Sequence, residues 1–167
     1  TWRIVPEFGE IANVETDLAS NDDTVCFLRA GQAYCMGEGS AGQLGHGANA
    51  DSDIPVRAFK DGVSFDRIYT GSDFSCGLTP VGNRAYCWGN NASGQFGDGT
   101  TTSSNIPVHA GGDRAWRILS LDNAYACGVT TDNEMHCWGR GAYTSSERNA
   151  ANPVSYTHLR AHETWSY

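Results

Sequence analysis

The sequence predicts an all-β protein assembled from repeated four-stranded antiparallel blades, about three of them in this chain. Three observations carry that expectation: a period near 50 residues, short alternating strands, and turn residues every ten positions or so. The clearest copy is "YCWGNNASGQFGDGT", beginning at Tyr86. "YCMGEGSAGQLGHGA", beginning at Tyr34, repeats it 52 residues upstream. Ile54-Pro55-Val56 and Ile106-Pro107-Val108 keep the same offset, and "HCWGRGAYTSSERNA" opens a third copy with Cys137 placed 50 residues after Cys87. A second Cys stands upstream in each copy, within "TVCFL", "FSCGL" and "YACGV". "FDRIYTGSDFSCGL" and "WRILSLDNAYACGV" share a leading strand, and the opening "TWRIV" reads as the same strand set back by a dozen extra residues. A fixed period of this length means repeated supersecondary units. Four short strands per unit is the make-up of a β-propeller blade. The expected units are 1–57, 58–109 and 110–153, with 154–167 standing outside the repeat.

Composition narrows the function classes. The net charge is −8 with only 11 Lys and Arg, which argues against a nucleic-acid partner, since phosphate-backbone binding needs clustered cations. No basic run suits an anionic membrane surface, and no apolar run is long enough to span a bilayer. The chain opens on Thr1-Trp2 in mid-repeat, without a starting Met or signal peptide, as an interior fragment would.

The six cysteines fall two per repeat, as Cys26/Cys35, Cys76/Cys87 and Cys127/Cys137. Their flanks alternate in the manner of strands, and "RAGQ", "TPVGNR" and "TTDNE" supply turns between them. Each pair therefore spans a β-hairpin, where opposed Cβ atoms come close enough for an S–S bond. Closing a loop of about ten residues stabilises by roughly 2.5–3 kcal/mol in the chain-entropy model. Disulfides are favoured over six buried thiols, which pack as small hydrophobes. A metal ranks last, because no Cys-x-x-Cys exists and no His sits at ligand spacing. Disulfides imply a setting outside the reducing cytosol, extracellular or in the cell envelope.

The Gly-rich stretch is read as a structural turn. A phosphate-cradling loop would open a helix and carry Lys, and here "TTSSNIPV" follows. No EF-hand spacing fits. Gly42, Gly45, Gly94, Gly97 and Gly99 supply positive φ, and Asn90, Asn91 and Asp98 bond their own backbone in tight turns. Gln43 and Gln95 tuck inward to lock the loop. His46 replaces Asp98 in the earlier copy, so neither acid nor imidazole is demanded there. Trp88 and Trp138 align, with Met36 in the first slot, and are expected as core aromatics between neighbouring sheets. The alternative is a sugar-stacking surface. Asn91-Ala92-Ser93 forms an N-glycosylation sequon. No nucleophile–base pair recurs, so no catalytic residue, cofactor or metal is assigned. The candidate partner-binding loops are Glu38–Asp53, Asn90–Thr102 and Gly141–Asn149, with Asn91, Asp51, Asp53 and Tyr143 as contact residues.

After Pro153 the repeat stops. "VSYTHLRAHET", from Val154 to Thr164, corresponds without a break to the conceptual translation of a transposase-type sequencing adaptor. The expectation is a non-native tail over 154–167 and a natural chain that continues elsewhere. His158 and His162 stand four apart beside Glu163, which on a helix would be half a zinc site. The adaptor match removes that reading.

The long pattern Cys-x-Leu, hairpin, Cys-Trp-Gly-x-Asn-x-x-Gly-Gln-Phe-Gly-Asp-Gly-Thr, Pro-Val resembles the regulator of chromosome condensation repeat family over about residues 1–153. "CGLTPVGNRAYCWGNNASGQFGDGTTTSSNIPVHA" is a near-complete copy and "CFLRAGQAYCMGEGSAGQLGHGANADSDIPVRA" a good one. The third copy departs, with "AYTSSERN" in place of the Gly-Gln core. The resemblance implies a seven-bladed propeller, of which this chain holds an open arc. It also implies a non-enzymatic protein-binding platform, and the paired cysteines resemble the bacterial extracellular members. The family's eukaryotic founder suggests a second function, guanine-nucleotide exchange on a small GTPase. A third is a carbohydrate-binding or enzyme-attached module.

Overall fold

The computed structural model describes residues 17–21 and 23–140, and the backbone of a short strand at Val154–Ser155. Among the described residues there is no helix. The strands form three four-stranded antiparallel sheets, each a meander in chain order. The first blade holds β1 (Leu18–Ser20), β2 (Thr24–Arg29), β3 (Gln32–Gly37) and β4 (Ser52–Arg57). The second holds β5 (Arg67–Thr70), β6 (Phe74–Leu78), β7 (Ala85–Gly89) and β8 (Ser104–Ala110). The third holds β9 (Trp116–Leu121), β10 (Tyr125–Thr130), β11 (Met135–Gly139) and β12 (Val154–Ser155). The inner strands β1, β5 and β9 neighbour one another in that order. Asp17 ties the first two, its carboxylate accepting the Ile68 N–H at 2.8 Å.

Two boundaries differ from the sequence expectation. The leading strand of the first blade is Leu18–Ser20, not "TWRIV", and Ala19 faces Cys26 as Tyr69 faces Cys76. Leu-Ala-Ser lacks the aromatic and β-branched signal that marked the other two. At the far end, Val154 pairs with Cys137 just as Val56 pairs with Cys35 and Val108 with Cys87. The fourth strand of the third blade therefore uses residues assigned to the tail. His158, His162 and the remainder of that tail lie outside the described residues, as does "TWRIV".

Within each blade the two cysteines are directly opposed across the hairpin and bonded: Cys26–Cys35, Cys76–Cys87 and Cys127–Cys137. The core is not inside the sheets but between them. One cluster joins Cys26, Leu28, Cys35 and Leu44 of the first blade to Phe65, Ile68 and Trp88 of the second. The other joins Phe74, Cys76, Cys87 and Phe96 to Trp116, Leu119 and Trp138 of the third. The first two disulfides thus lie on the face turned to the following blade. Cys26, Cys35, Cys76 and Cys87 are at most 1% exposed. Cys127 and Cys137, on the corresponding face of the third sheet, are only half-buried.

Replacing Cys76 and Cys87 together by Ala should cost about 3 kcal/mol or more, combining the lost cross-link with a cavity in the seam. Urea unfolding with and without a reductant reads the two contributions separately.

Candidate functional site

A meander sends its connections to alternate ends. One end, the loop end, gathers the first turn of each blade (21–23, 71–73, 122–124) and the long loops 38–51 and 90–103. The opposite, hairpin end gathers the turns 30–31, 79–84 and 131–134 and the links 58–66 and 111–115. Contacts between blades confirm the grouping. The Asn21 amide donates to the Gly71 carbonyl, turn to turn, and the Phe65 N–H donates to the Gly31 carbonyl at 2.8 Å.

The long loops leave the loop end and wedge between blades. The Gly94 N–H bonds the Asn91 carbonyl and the Gly97 N–H bonds the Gly94 carbonyl, so the chain makes two consecutive tight turns. Gln95 and Gln43 are buried and brace these turns, their Oε1 atoms accepting the Ser93 and Ala41 N–H groups. Their backbone carbonyls face the next blade. The Trp88 indole donates to the Gln43 carbonyl at 2.8 Å, and the Trp138 indole to the Gln95 carbonyl at 2.7 Å. Phe96 and Leu44 plug the space beside them, fully buried. Gly97 sits at φ +62 with its missing Cβ 2.7 Å from the Trp138 ring nitrogen, so both backbone and space demand glycine. Asp98 caps its own turn, its carboxylate accepting from the Thr100 N–H and hydroxyl.

One expected contact changes role. Asn91 is fully buried and holds the loop shut: its amide donates to the Thr100 and Thr102 carbonyls and its Oδ1 accepts the Phe96 N–H. That atom set leaves no amide for a glycan or a partner. Trp88 and Trp138 are 0% and 2% exposed, which removes the sugar-stacking reading. Asp51 and Asp53 are exposed at the loop end, although one Asp51 oxygen accepts the Gly39 N–H. Tyr143 and the loop Gly141–Asn149 lie outside the described residues.

One property escaped the sequence reading: among the described residues the cations gather at one end while acids stand at both, so the loop end carries the net negative charge. Asp23, Glu38, Asp51, Asp53, Asp73 and Asp122 lie at the loop end, where Arg140 is the cation among the described residues. Arg29, Arg57, Lys60, Arg67, Arg84, Arg114 and Arg117 lie at the hairpin end, mixed with acids such as Asp61 and Asp113. Several of these arginines are committed to structure: Arg84 donates to the Asp113 carbonyl, and Arg67 to the Arg117 carbonyl. At the loop end, the Tyr125 hydroxyl and the Asn123 N–H hold the Asp122 carboxyl below its usual range. The signal was available, since no Lys or Arg occurs in the turns 21–23, 71–73 and 122–124 or in the loops 38–51 and 90–103. Among the described residues no group of three or more His, Cys, Asp or Glu could hold a metal.

Gly97→Ala should destabilise by about 2–4 kcal/mol, adding positive-φ strain to overpacking against Trp138; a shift of the urea midpoint at constant slope checks it. Asn91→Ala should cost about 2–3 kcal/mol by orphaning the buried Phe96 N–H. Expressed through a eukaryotic secretory route, the unmodified chain should carry no glycan at Asn91 by intact mass.

Models described as Regulator of chromosome condensation (RCC1) repeat match residues 65–95 and 30–78. The chain is 28% identical over 131 residues to the E3 ubiquitin-protein ligase HERC2 of Homo sapiens, covering 73% of this chain and 3% of HERC2. It is 31% identical over 121 residues to the Ultraviolet-B receptor UVR8 of Arabidopsis thaliana, covering 71% of this chain and 27% of the receptor. Human WBSCR16 superposes with a TM-score of 0.74 at 22% identity, over 84% of this chain and 37% of that one. Yeast RCC1 (Prp20), in a crystal with Kap60, superposes with a TM-score of 0.71 at 17% identity, over 85% and 37%. These structures show the fold, and the chain spans a small part of each relative. Repeats, blade topology and matched segments agree: the chain carries regulator of chromosome condensation repeats, matched over residues 30–95, in an arc of three propeller blades.

Proposed function

We propose that this arc is a protein-binding module, without chemistry of its own, whose loop end receives a basic surface of its partner. The observation that carries the reading is the sorting of charge between the two ends. A rigid scaffold presenting one sign of charge on its connections steers a complementary partner and fixes its orientation. The loops 38–51 and 90–103 suit this role because their buried Gly-Gln cores anchor them while Asp51 and Asp53 stay in water. The relative crystallised with Kap60 is a precedent for protein binding on this fold. The three disulfides support a setting outside the reducing cytosol, secreted or in the cell envelope.

The test is a pull-down from the secretome of the source at low and high salt, followed by kinetics on the recovered partner. Asp53→Lys with Asp73→Lys should slow association about tenfold or more, while Arg84→Glu at the hairpin end should not. Equal rates for both would overturn the reading. Thiol labelling of the native protein adds a second arm. No free thiol is expected, and six would turn the reading toward nucleotide exchange in a reducing compartment.

A further inference from the structure

The two seams are built alike and differ at one position. In the first, Phe65 leads into the inner strand and meets two residues of β7: Tyr86 edge-on at 6.2 Å and Trp88 tilted at 5.9 Å. In the second, Trp116 takes the place of Phe65 and meets His136 edge-on at 5.7 Å and Trp138 tilted at 5.0 Å. His136 therefore fills the slot that Tyr86 fills in the blade before it, two residues ahead of the indole that reaches across the seam. The side chain is 1% exposed.

We propose that the seam between the second and third blades is an acid-sensitive joint, with His136 as the group that opens it. A neutral imidazole packs against Trp116 as a flat, uncharged ring. Neither ring nitrogen has a well-directed hydrogen bond among the described residues, and Nε2 lies 3.3 Å from the half-exposed Glu134 carboxylate. A proton makes both nitrogens donors and adds a charge to a buried aromatic cluster. Glu134 can meet one of them; nothing described meets Nδ1.

The charged groups acting on the ring are Arg114 from the link before β9, and Glu134 and Asp132 from the turn before β11. Burial pushes the imidazole below its ordinary 6.5, and the Arg114 guanidinium adds to that push. The two carboxylates pull the other way without offsetting it. A folded-state value below the unfolded one means the unfolded chain binds the extra proton first. The stability held by the neutral ring is then present above the ordinary imidazole value and is lost as pH falls below it. The matching slot of the first seam holds Tyr86 in place of an imidazole, so acid acts through this slot on the second seam alone.

Hydrogen exchange of the full chain between pH 7.5 and 5.0, corrected for intrinsic rates, reads each blade separately. Opening over β9–β11 should rise about tenfold or more at pH 5.0, with β2–β3 and β5–β6 little changed. His136→Tyr, which restores the residue of the other blades, should abolish the response. Tyr86→His should move it to the first seam. The proposal is overturned if all three sheets loosen together in acid, or if a folded His136→Tyr protein opens as the parent does. It is overturned equally if NMR titration of the unmodified chain finds the His136 imidazole at or above 6.5. That last measurement needs no variant, so a substitution that fails to fold does not protect the proposal.

Discussion

Both seams of this arc repeat one buried hydrogen bond, from a Trp indole to the backbone carbonyl of a Gln in the preceding blade. The rest of the repeat follows from that bond. Such a bond nets only about 1 kcal/mol, but a buried carbonyl left without its donor costs more. The loop must therefore deliver the carbonyl to a fixed place. Two tight turns do so, with the Gln side chain as an internal brace. The ring lies so close to the loop that Gly45 and Gly97 can carry no side chain. A motif that looks like a ligand cradle is thus a socket for the next sheet.

The arrangement frees the outer parts of the loops for other work. Because Gly94, Gln95 and Phe96 are held in the seam, the flanking acids are set on a firm base without contributing to the core. Among the described residues, no ion pair with Lys or Arg offsets their charge. The alternation of connections in a meander does the sorting: a residue between strands three and four cannot reach the end occupied by one between strands two and three. A modest excess of acid over base, spread evenly along the sequence, becomes a polar object once folded.

Much of this was legible beforehand. The period, the Cys pairs and the "CWG" strands located three hairpins, and the paired cysteines are opposed in all three. What escaped has physical causes. Leu18–Ser20 is a strand because its neighbours β2 and β5 hold it, not because Leu-Ala-Ser prefers extension. Asn91 was read correctly as a turn residue, but it was also offered as a partner contact, because local sequence does not report that its amide turns inward to Thr100 and Thr102. Val154 was assigned to the tail on its coding match, although its place opposite Cys137 repeats that of Val108. His136 passed as a lone histidine, since only the seam reveals which ring it faces.

The direction of the indole bond has a bearing on how the arc is made. In both seams the acceptor precedes its donor along the chain, Gln43 before Trp88 by 45 residues and Gln95 before Trp138 by 43. On the ribosome, the residues of each socket are therefore synthesised before the indole that fills it, so the carbonyl waits in water until the next blade supplies its donor.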